Sequence, residues 1–235
     1  MSNNITRVTL AIAVVAVALV AIGNPFSAPS LAAAPAAVPP PVVDNPLATS
    51  PKEETAVFAG GCFWGIQAVY QHVKGVKSAV SGYAGGTVAS PSYEEVSTGT
   101  TGHAESVRIV FDPSKVSYGQ LLRVLFAVAH DPTQLNRQGP DVGTQYRSEI
   151  FYTNEAQKRI ATAYINQLTK AKIFSKPIVT RVSSFRSFNV AEAYHQNYAT
   201  LHPNDLYIRF NDAPKVAALK SELAPMYKEE LSAWK

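Results

Sequence analysis

The sequence predicts an α+β domain in which helices pack on the faces of a mixed β-sheet. Segments with the apolar pattern of strands are interspersed with segments of helical periodicity, and the two do not follow the regular alternation typical of a parallel sheet. Apolar residue types make up 46% of the 235 residues and charged types 16%, so the chain has enough apolar side chains to bury a core. This composition excludes a disordered polyelectrolyte.

The first 51 residues are unlike the rest of the chain. A single basic side chain, Arg7, precedes an apolar run over 8–23, and small residues follow, which is the order of a secretory signal peptide. We therefore expect a signal peptide over 1–31 and an exported, periplasmic protein. Because the run is shorter than the ~20 residues that span a bilayer, an uncleaved membrane anchor facing the periplasm is the alternative. Residues 32–51 are rich in alanine and proline, which predicts a linker, and the folded domain then occupies 52–235.

The first half of the domain is predicted to contain three strands and a helix. A strand over 56–61 ends in two glycines, and the apolar spacing after it is that of a helix with Cys62 at its start. A second strand over 76–86 also closes in a glycine turn. The third strand, over 105–112, alternates strictly and ends before Pro113.

Helices dominate the second half of the domain. Ser117 with Gln120 forms a capping-box pattern that opens a predicted helix over 118–130. A second such pattern, at Asn154, opens a helix over 155–171. The remaining predicted elements are a strand over 177–182, a short helix over 191–199 and a terminal helix over 214–227.

The cysteine count and the charge exclude several function classes. Cys62 is the sole cysteine, so the chain forms no internal disulfide, zinc ribbon or two-cysteine haem attachment. The net charge of +4 comes without a run of basic residues interleaved with aromatics, so we expect no nucleic-acid partner. No histidine pair has metal-ligand spacing together with further ligands, so we expect no metal site. The histidines are His72, His103, His130, His195 and His202.

Cys62 is the first residue that indicates chemistry. The backbone N–H groups and the dipole of a helix N-terminus stabilise a thiolate and lower the pKa of the cysteine. Gly61 lets a ligand approach, and Phe63 and Trp64 are able to line an apolar pocket. The alternatives are that Cys62 is a small buried apolar residue and that the aromatic pair belongs to the core.

Glu105 is the second residue that indicates chemistry. Along its strand the same face carries Val107, Ile109 and Phe111, so the two-residue period points the carboxyl towards a core face. Such a carboxyl either lies at the wet end of the strand or is desolvated with a raised pKa. In the second case it keeps a proton near neutral pH, as a general acid requires.

The polar segment over 130–148 is rich in directional hydrogen-bond donors, and a loop of this kind usually binds a ligand. An ordinary ordered surface loop is the alternative. His103 and His195 either orient a catalytic group or have a structural role. A cysteine hydrolase or acyltransferase would use one of these two imidazoles as its base.

Four motifs taken together resemble one known family. They are GCFWG at 61–65, PSYEEV at 91–96, GHAESVRIVFDP at 102–113 and the segment 130–148, which contains DVGTQYRS. In this order they are similar to peptide methionine sulfoxide reductase A, and the similarity covers 55–227. The resemblance implies an α+β sandwich of the ferredoxin-like kind, with 52–235 as its catalytic domain.

The resemblance also implies the site residues. Cys62 matches the nucleophile, and Glu105 matches the acid that protonates the sulfoxide oxygen. Tyr93 and Tyr146 match the hydroxyls near that oxygen. The remaining matches are Phe63 and Trp64, which form the pocket for the S-methyl group of the substrate, and Asp141, a supporting contact.

The implied reaction is the thiol-dependent reduction of the S epimer of methionine sulfoxide in proteins and peptides, which repairs oxidative damage. The cysteine becomes a sulfenic acid in this reaction. Many members of the family resolve that acid with further cysteines, whereas this chain resembles the single-cysteine members. An external thiol is therefore implied, either a thioredoxin-like protein, a glutaredoxin-like protein or a small thiol, with no bound cofactor. A module that binds oxidised methionine without turnover and a one-cysteine peroxidase are the rival interpretations.

Overall fold

The structure is a computed structural model that describes residues 37–234. The predicted signal peptide over 1–31 and the first residues of the predicted linker lie outside the described residues. No helix within residues 37–234 is long and apolar enough to cross a membrane.

Eight strands and six α-helices occur in the described part of the chain. The strands are β1 (Glu54–Gly60), β2 (Val76–Ala84), β3 (Ala104–Phe111), β4 (Arg137–Gln138), β5 (Asp141–Val142), β6 (Ser148–Tyr152), β7 (Arg181–Ser184) and β8 (Phe188–Val190). The helices are α1 (Phe63–Gln71), α2 (Tyr93–Ser97), α3 (Tyr118–Val124), α4 (Glu155–Lys170), α5 (Tyr198–Leu201) and α6 (Ala213–Glu222). Single turns of 3₁₀- or π-helix extend or connect several of them.

Six strands form one sheet in the order β7-β6-β1-β3-β2-β8. All neighbouring pairs are antiparallel except β6 and β7, which are parallel. Strands β4 and β5 form a separate two-stranded hairpin. The predicted α+β class with a mixed sheet is therefore confirmed.

The core lies mainly on one face of the sheet. In β1, Ala56 and Phe58 join a large buried cluster to which α1, α3, α4 and α6 contribute. The alternate residues Val57 and Ala59 join a small cluster on the opposite face, with Phe151. Burial of both faces of β1 explains why its sequence contains a continuous apolar run.

Several elements end at places that the sequence patterns do not mark. The helix predicted over 118–130 changes to a π-helical turn at Leu125–Ala129. The single short helix predicted over 191–199 is wrong, because Asn197 has a left-handed backbone (φ 57°) and separates a 3₁₀ turn from α5. The terminal helix ends at Glu222 and not at 227.

The segment from Val38 to Ala48, which we call the strap, packs on α3 and α4 although it falls in the predicted linker. The Tyr164 hydroxyl donates to the Pro39 carbonyl oxygen at 2.6 Å. Gln167 accepts from the Val42 amide and donates to the Pro40 carbonyl. The strap is therefore held against the domain and is not a free tether.

An acidic side chain of the strap also caps a helix. Asp44 Oδ1 accepts a hydrogen bond of 3.0 Å from the Gly119 amide in the first turn of α3, and Asp44 Oδ2 accepts from the Ser117 hydroxyl. Gly119 permits this approach, because a Cβ atom there would lie 2.5 Å from Asp44 Cγ. A carboxylate at this end of a helix is stabilised by the unpaired amides and the dipole.

Candidate active site

The site is built on the tight connection between β1 and α1. Gly61 has φ 99°, and a Cβ atom there would lie 2.5 Å from Gln138 Cγ, so only glycine fits without strain. Cys62 is the residue immediately before α1, its thiol is free, and 8% of the residue is exposed. Cys62 stands at the N-cap position, but its side chain makes no capping hydrogen bond to the amides of α1. The sequence prediction of a cysteine at a helix N-terminus is confirmed.

The pKa of Cys62 differs from the sequence expectation. Burial raises it well above its ordinary value, and the charges of Glu105 and Asp212 raise it further. The Trp64 amide and the Lys215 ammonium lower it, but they do not offset the burial. The resting thiol is therefore protonated, because desolvation outweighs the helix N-terminus.

Glu105 lies beside the thiol. Only 3% of the residue is exposed, and Glu105 Oε2 accepts a hydrogen bond of 3.0 Å from the Phe63 amide. Burial raises the pKa of Glu105 to about 8, although the Phe63 amide lowers it. The neighbouring Cys62 thiol also lowers the pKa of this carboxyl. The sequence allows either a solvated carboxyl at the end of the strand or a desolvated one. The structure therefore shows the desolvated carboxyl.

Two tyrosines reach the same place from separate elements. Tyr93 begins α2, which carries a complete capping box, and Tyr146 ends the 3₁₀ turn Thr144–Tyr146. Burial raises the pKa of both phenols, and the charge of Glu105 adds to each shift. Both hydroxyls therefore keep their protons at physiological pH and are available as donors.

Trp64 is held by three aromatic neighbours. Its indole Nε1 donates to His195 Nδ1 at 3.2 Å. Its ring stacks on Tyr198, with the centroids 3.7 Å apart and the planes 11° from parallel, and Tyr207 meets it edge-on at 5.9 Å. Phe63 is 1% exposed, so Trp64 is the more accessible ring of the aromatic pair.

Asp141 belongs to β5 and accepts a hydrogen bond from the Tyr207 hydroxyl, 66 residues further along the chain. Tyr198 and Tyr207 were not predicted as site residues, because neither lies in one of the four motifs. A continuous helix over 191–199 would also have placed Tyr198 and His195 on the same face of that helix.

The histidines considered as a catalytic base have other partners. His103 Nδ1 accepts from the Gly86 amide, and its Nε2 lies 2.8 Å from the Val88 carbonyl oxygen. His195 is buried, which lowers its pKa, and its Nδ1 is occupied by Trp64. The partner of the thiol is Glu105 and not an imidazole. This arrangement disfavours the hydrolase interpretation.

The site is thus a buried thiol that faces a protonated carboxyl and two phenolic hydroxyls, with an indole at its edge. Within residues 37–234, no group of three or more histidine, cysteine, aspartate or glutamate side chains is arranged to hold a metal ion. These residues define a thiol enzyme whose substrate carries an oxygen atom that accepts a proton or hydrogen bonds.

Comparison with known proteins gives the family. The family model described as Peptide methionine sulfoxide reductase matches residues 54–227. Peptide methionine sulfoxide reductase MsrA 2 of Mesorhizobium japonicum is 60% identical over 181 residues, which cover 77% of this chain and 93% of that protein. The MsrA 2 of Synechocystis sp. is 48% identical over 191 residues, which cover 80% of this chain and 89% of that protein. The chain belongs to the peptide methionine sulfoxide reductase family.

A solved structure supports the assignment at the level of the fold. Methionine sulfoxide reductase A of Corynebacterium diphtheriae is 34% identical and superimposes with a TM-score of 0.57. The match covers 70% of this chain and 86% of that one. The family resemblance inferred from the four sequence motifs is confirmed.

Proposed function

We propose that the chain reduces the S epimer of methionine sulfoxide in proteins and peptides, with Cys62 as the nucleophile. Family membership supports the reaction, and the hydrogen bond from the Phe63 amide to the buried Glu105 carboxyl, next to Cys62, supports the assignment of the residues. The reaction returns oxidised methionine to methionine, so the chain acts in protein repair.

Glu105 and the two phenols activate the sulfoxide. The sulfur of a sulfoxide becomes electrophilic when its oxygen is protonated or strongly hydrogen-bonded. Glu105 has a pKa of about 8 and carries the proton at neutral pH. Tyr93 and Tyr146 donate to the same oxygen, and Asp141 supports the arrangement through Tyr207.

The sulfur of Cys62 then attacks the sulfur of the substrate. A bond forms between the two sulfurs as Glu105 gives its proton to the sulfoxide oxygen. The hydroxyl then passes to Cys62 as the sulfur–oxygen and sulfur–sulfur bonds to the substrate break, methionine leaves, and the thiol proton returns to Glu105. Cys62 is oxidised by two electrons to a sulfenic acid, and the substrate is reduced by the same two electrons. Trp64 and Phe63 hold the S-methyl group of the substrate in this step.

Recycling requires an external thiol. The chain contains one cysteine, so no second thiol of the chain condenses with the sulfenic acid. One reductant thiol forms a mixed disulfide with Cys62 and releases water, and a second thiol frees Cys62 and leaves an oxidised disulfide. We propose a thioredoxin-like protein, a glutaredoxin-like protein or a small thiol in this role, with no bound cofactor.

We also propose an exported, periplasmic location, with a membrane-anchored form as the alternative, on the signal-like pattern of 1–31. The division into that segment, a linker over 32–51 and a catalytic domain over 52–235 is part of the same proposal. The ferredoxin-like description of the fold is supported by the antiparallel strand order β6-β1-β3-β2, with helix α1 between β1 and β2 and helix α3 between β3 and β6.

The test uses the full chain with dithiothreitol and the separate S and R epimers of a methionine sulfoxide peptide. We expect conversion of the S epimer only, and none in Cys62→Ser. Conversion of neither epimer by folded protein with a free thiol would contradict the proposal and favour a module that binds oxidised methionine. Conversion of both epimers would contradict the stereochemistry alone.

A further inference from the structure

A buried ion pair lies beneath the first turn of α1, outside the residues that the sequence motifs mark. Lys215 Nζ is 2.9 Å from Asp212 Oδ1, and the side chains are 16% and 0% exposed, respectively. Asp212 stands directly before α6, but its carboxylate makes no capping hydrogen bond to the amides of that helix. Capping of α6 therefore does not account for this buried carboxylate.

Gly65 brings the pair against the backbone of the catalytic helix. A Cβ atom on Gly65 would lie 2.1 Å from Asp212 Oδ1 and 2.9 Å from Lys215 Nζ. Any side chain at this position would displace the pair. Gly65 is three residues after Cys62, so the pair lies against the first turn of the helix that begins after the thiol.

The second carboxylate oxygen of the pair has no partner. Asp212 Oδ2 is buried and accepts no hydrogen bond within residues 37–234. A buried charge that is only half satisfied costs free energy of folding. The position of Asp212 beside Gly65 therefore indicates that this residue serves the site and not the stability of the fold.

The groups around the thiol are otherwise acidic or neutral. Those that act on Cys62 or Glu105 from neighbouring elements are Tyr93, Asp141, Tyr146, Tyr198, Tyr207 and Asp212. Burial lowers the pKa of His130 to about 4 and also lowers that of His195, so both imidazoles are neutral near pH 7. Arg147 is paired with Glu149. Lys215 is the cation that acts on the thiol in the described part of the chain.

A buried thiolate next to these groups needs a positive charge. Converting Cys62 to its thiolate adds a negative charge to a site that already contains Asp212, and like charges repel strongly where water is excluded. The Lys215 ammonium opposes that repulsion, with an effect on the thiol that is smaller than that of Asp212. The helix N-terminus alone is not enough, since burial outweighs it in the resting protein.

We infer that Lys215, anchored by Asp212 in the space left by Gly65, is a positioning residue whose charge sustains the Cys62 thiolate. The inference rests on the proposed function, in which this sulfur is the nucleophile. Asp212 fixes the ammonium under the helix, and Gly65 sets the distance between the charge and the thiol.

The test measures alkylation of Cys62 by neutral iodoacetamide in the absence of sulfoxide, from about pH 6 to about pH 10. Lys215→Met is expected to raise the apparent pKa of alkylation by about one unit and slow the reaction near pH 7 about tenfold. Lys215→Arg should restore most of the rate. Lys220→Met is the matched control, because this exposed lysine lies on the same helix and pairs with Glu229.

Asp212→Asn keeps an acceptor for Lys215 and removes the negative charge, so it should speed alkylation near pH 7. If Lys215→Met folds and its alkylation profile is unchanged, the inference is overturned. If Lys215→Met does not fold, Lys215→Gln decides, because it keeps a hydrogen-bond partner for Asp212 without the charge, and an unchanged alkylation profile overturns the inference. Because no sulfoxide is present, failure of the proposed function leaves this result intact.

Discussion

The backbone amide of Phe63 donates a hydrogen bond of 3.0 Å to the Glu105 carboxylate, although the two residues are 42 positions apart in the chain. The bond ties the first turn of α1 to the start of β3. It places the carboxyl beside the thiol at the position next to Phe63. The mutual placement of Cys62 and Glu105 is therefore a property of the sheet that brings β1 and β3 together.

The protonated form of Glu105 should control the rate at alkaline pH. Its pKa is raised to about 8, so the acid is present below this value and lost as the pH rises through it. With saturating substrate, kcat should fall above about pH 8 in the parent protein, and Glu105→Gln should lower kcat about 10²-fold or more and abolish that decline. Glu94→Gln, at an exposed position of α2, is the control. An unchanged kcat and pH profile in Glu105→Gln would contradict the general-acid role.

The phenols of Tyr93 and Tyr146 should contribute overlapping stabilisation. Either single change to phenylalanine removes one donor and should lower kcat about tenfold, because Glu105 and the other phenol remain. The double variant should lose about 10³-fold. Steady-state kinetics with the S epimer test this, and Tyr194→Phe, at a position 57% exposed, is the control. Equal activity of the double variant and the parent would exclude both hydroxyls.

The indole of Trp64 should act mainly in substrate binding. Trp64→Ala removes the aromatic wall that stacks on Tyr198, and KM for a methionine sulfoxide peptide should rise about tenfold or more. Trp64→Phe keeps an aromatic ring but loses the donor to His195, so its KM should be intermediate. If Trp64→Ala has an unchanged KM and its turnover still requires Cys62, the S-methyl group of the substrate does not bind against Trp64.

The single cysteine limits turnover without reductant. A folded, reduced protein should form at most one methionine per chain and then stop, with Cys62 as a sulfenic acid that a trapping reagent such as dimedone detects. Adding a thiol should restore turnover. A product count well above one per chain before any thiol is added would show that another electron source is present.

The strap should stabilise the domain. Asp44→Ala removes the acceptor for Gly119 and should lower the free energy of unfolding by about 1 kcal/mol. A chain that begins at residue 51 loses the contacts with Tyr164 and Gln167 as well, and should melt several degrees lower than the full chain. Thr49→Ala, at an exposed position, is the control. Equal melting temperatures would mean that the strap contacts are energetically neutral.

Parts of the site follow from local sequence. The apolar run, the glycines and the helical spacing around Cys62 predict a strand, a turn and a helix N-terminus, because each depends on neighbouring residues. The two-residue period places Glu105 on the core face of its strand for the same reason. The four motifs indicate the family, and the family model confirms it.

Other parts depend on contacts between distant segments. Strand β6 is short and follows a polar loop, so its pattern alone gives a weak signal, and its pairing with β1 fixes it. The pairing of Tyr207 with Asp141 and the seating of Asp212 against Gly65 join residues that share no local pattern. The prolines of the strap predict a linker. In the structure, backbone carbonyls of the strap accept hydrogen bonds from side chains of α3 and α4.

The sequence by itself determined the class of fold, the family, the position of Cys62 at a helix N-terminus and the face of the strand on which Glu105 lies, because these follow from residue type and local period. Tertiary structure decided the protonation of Cys62 and Glu105, since burial and neighbouring charges exist only once the chain has folded. Periodicity shows the direction of a side chain, whereas its electrostatic surroundings depend on segments far away in the chain.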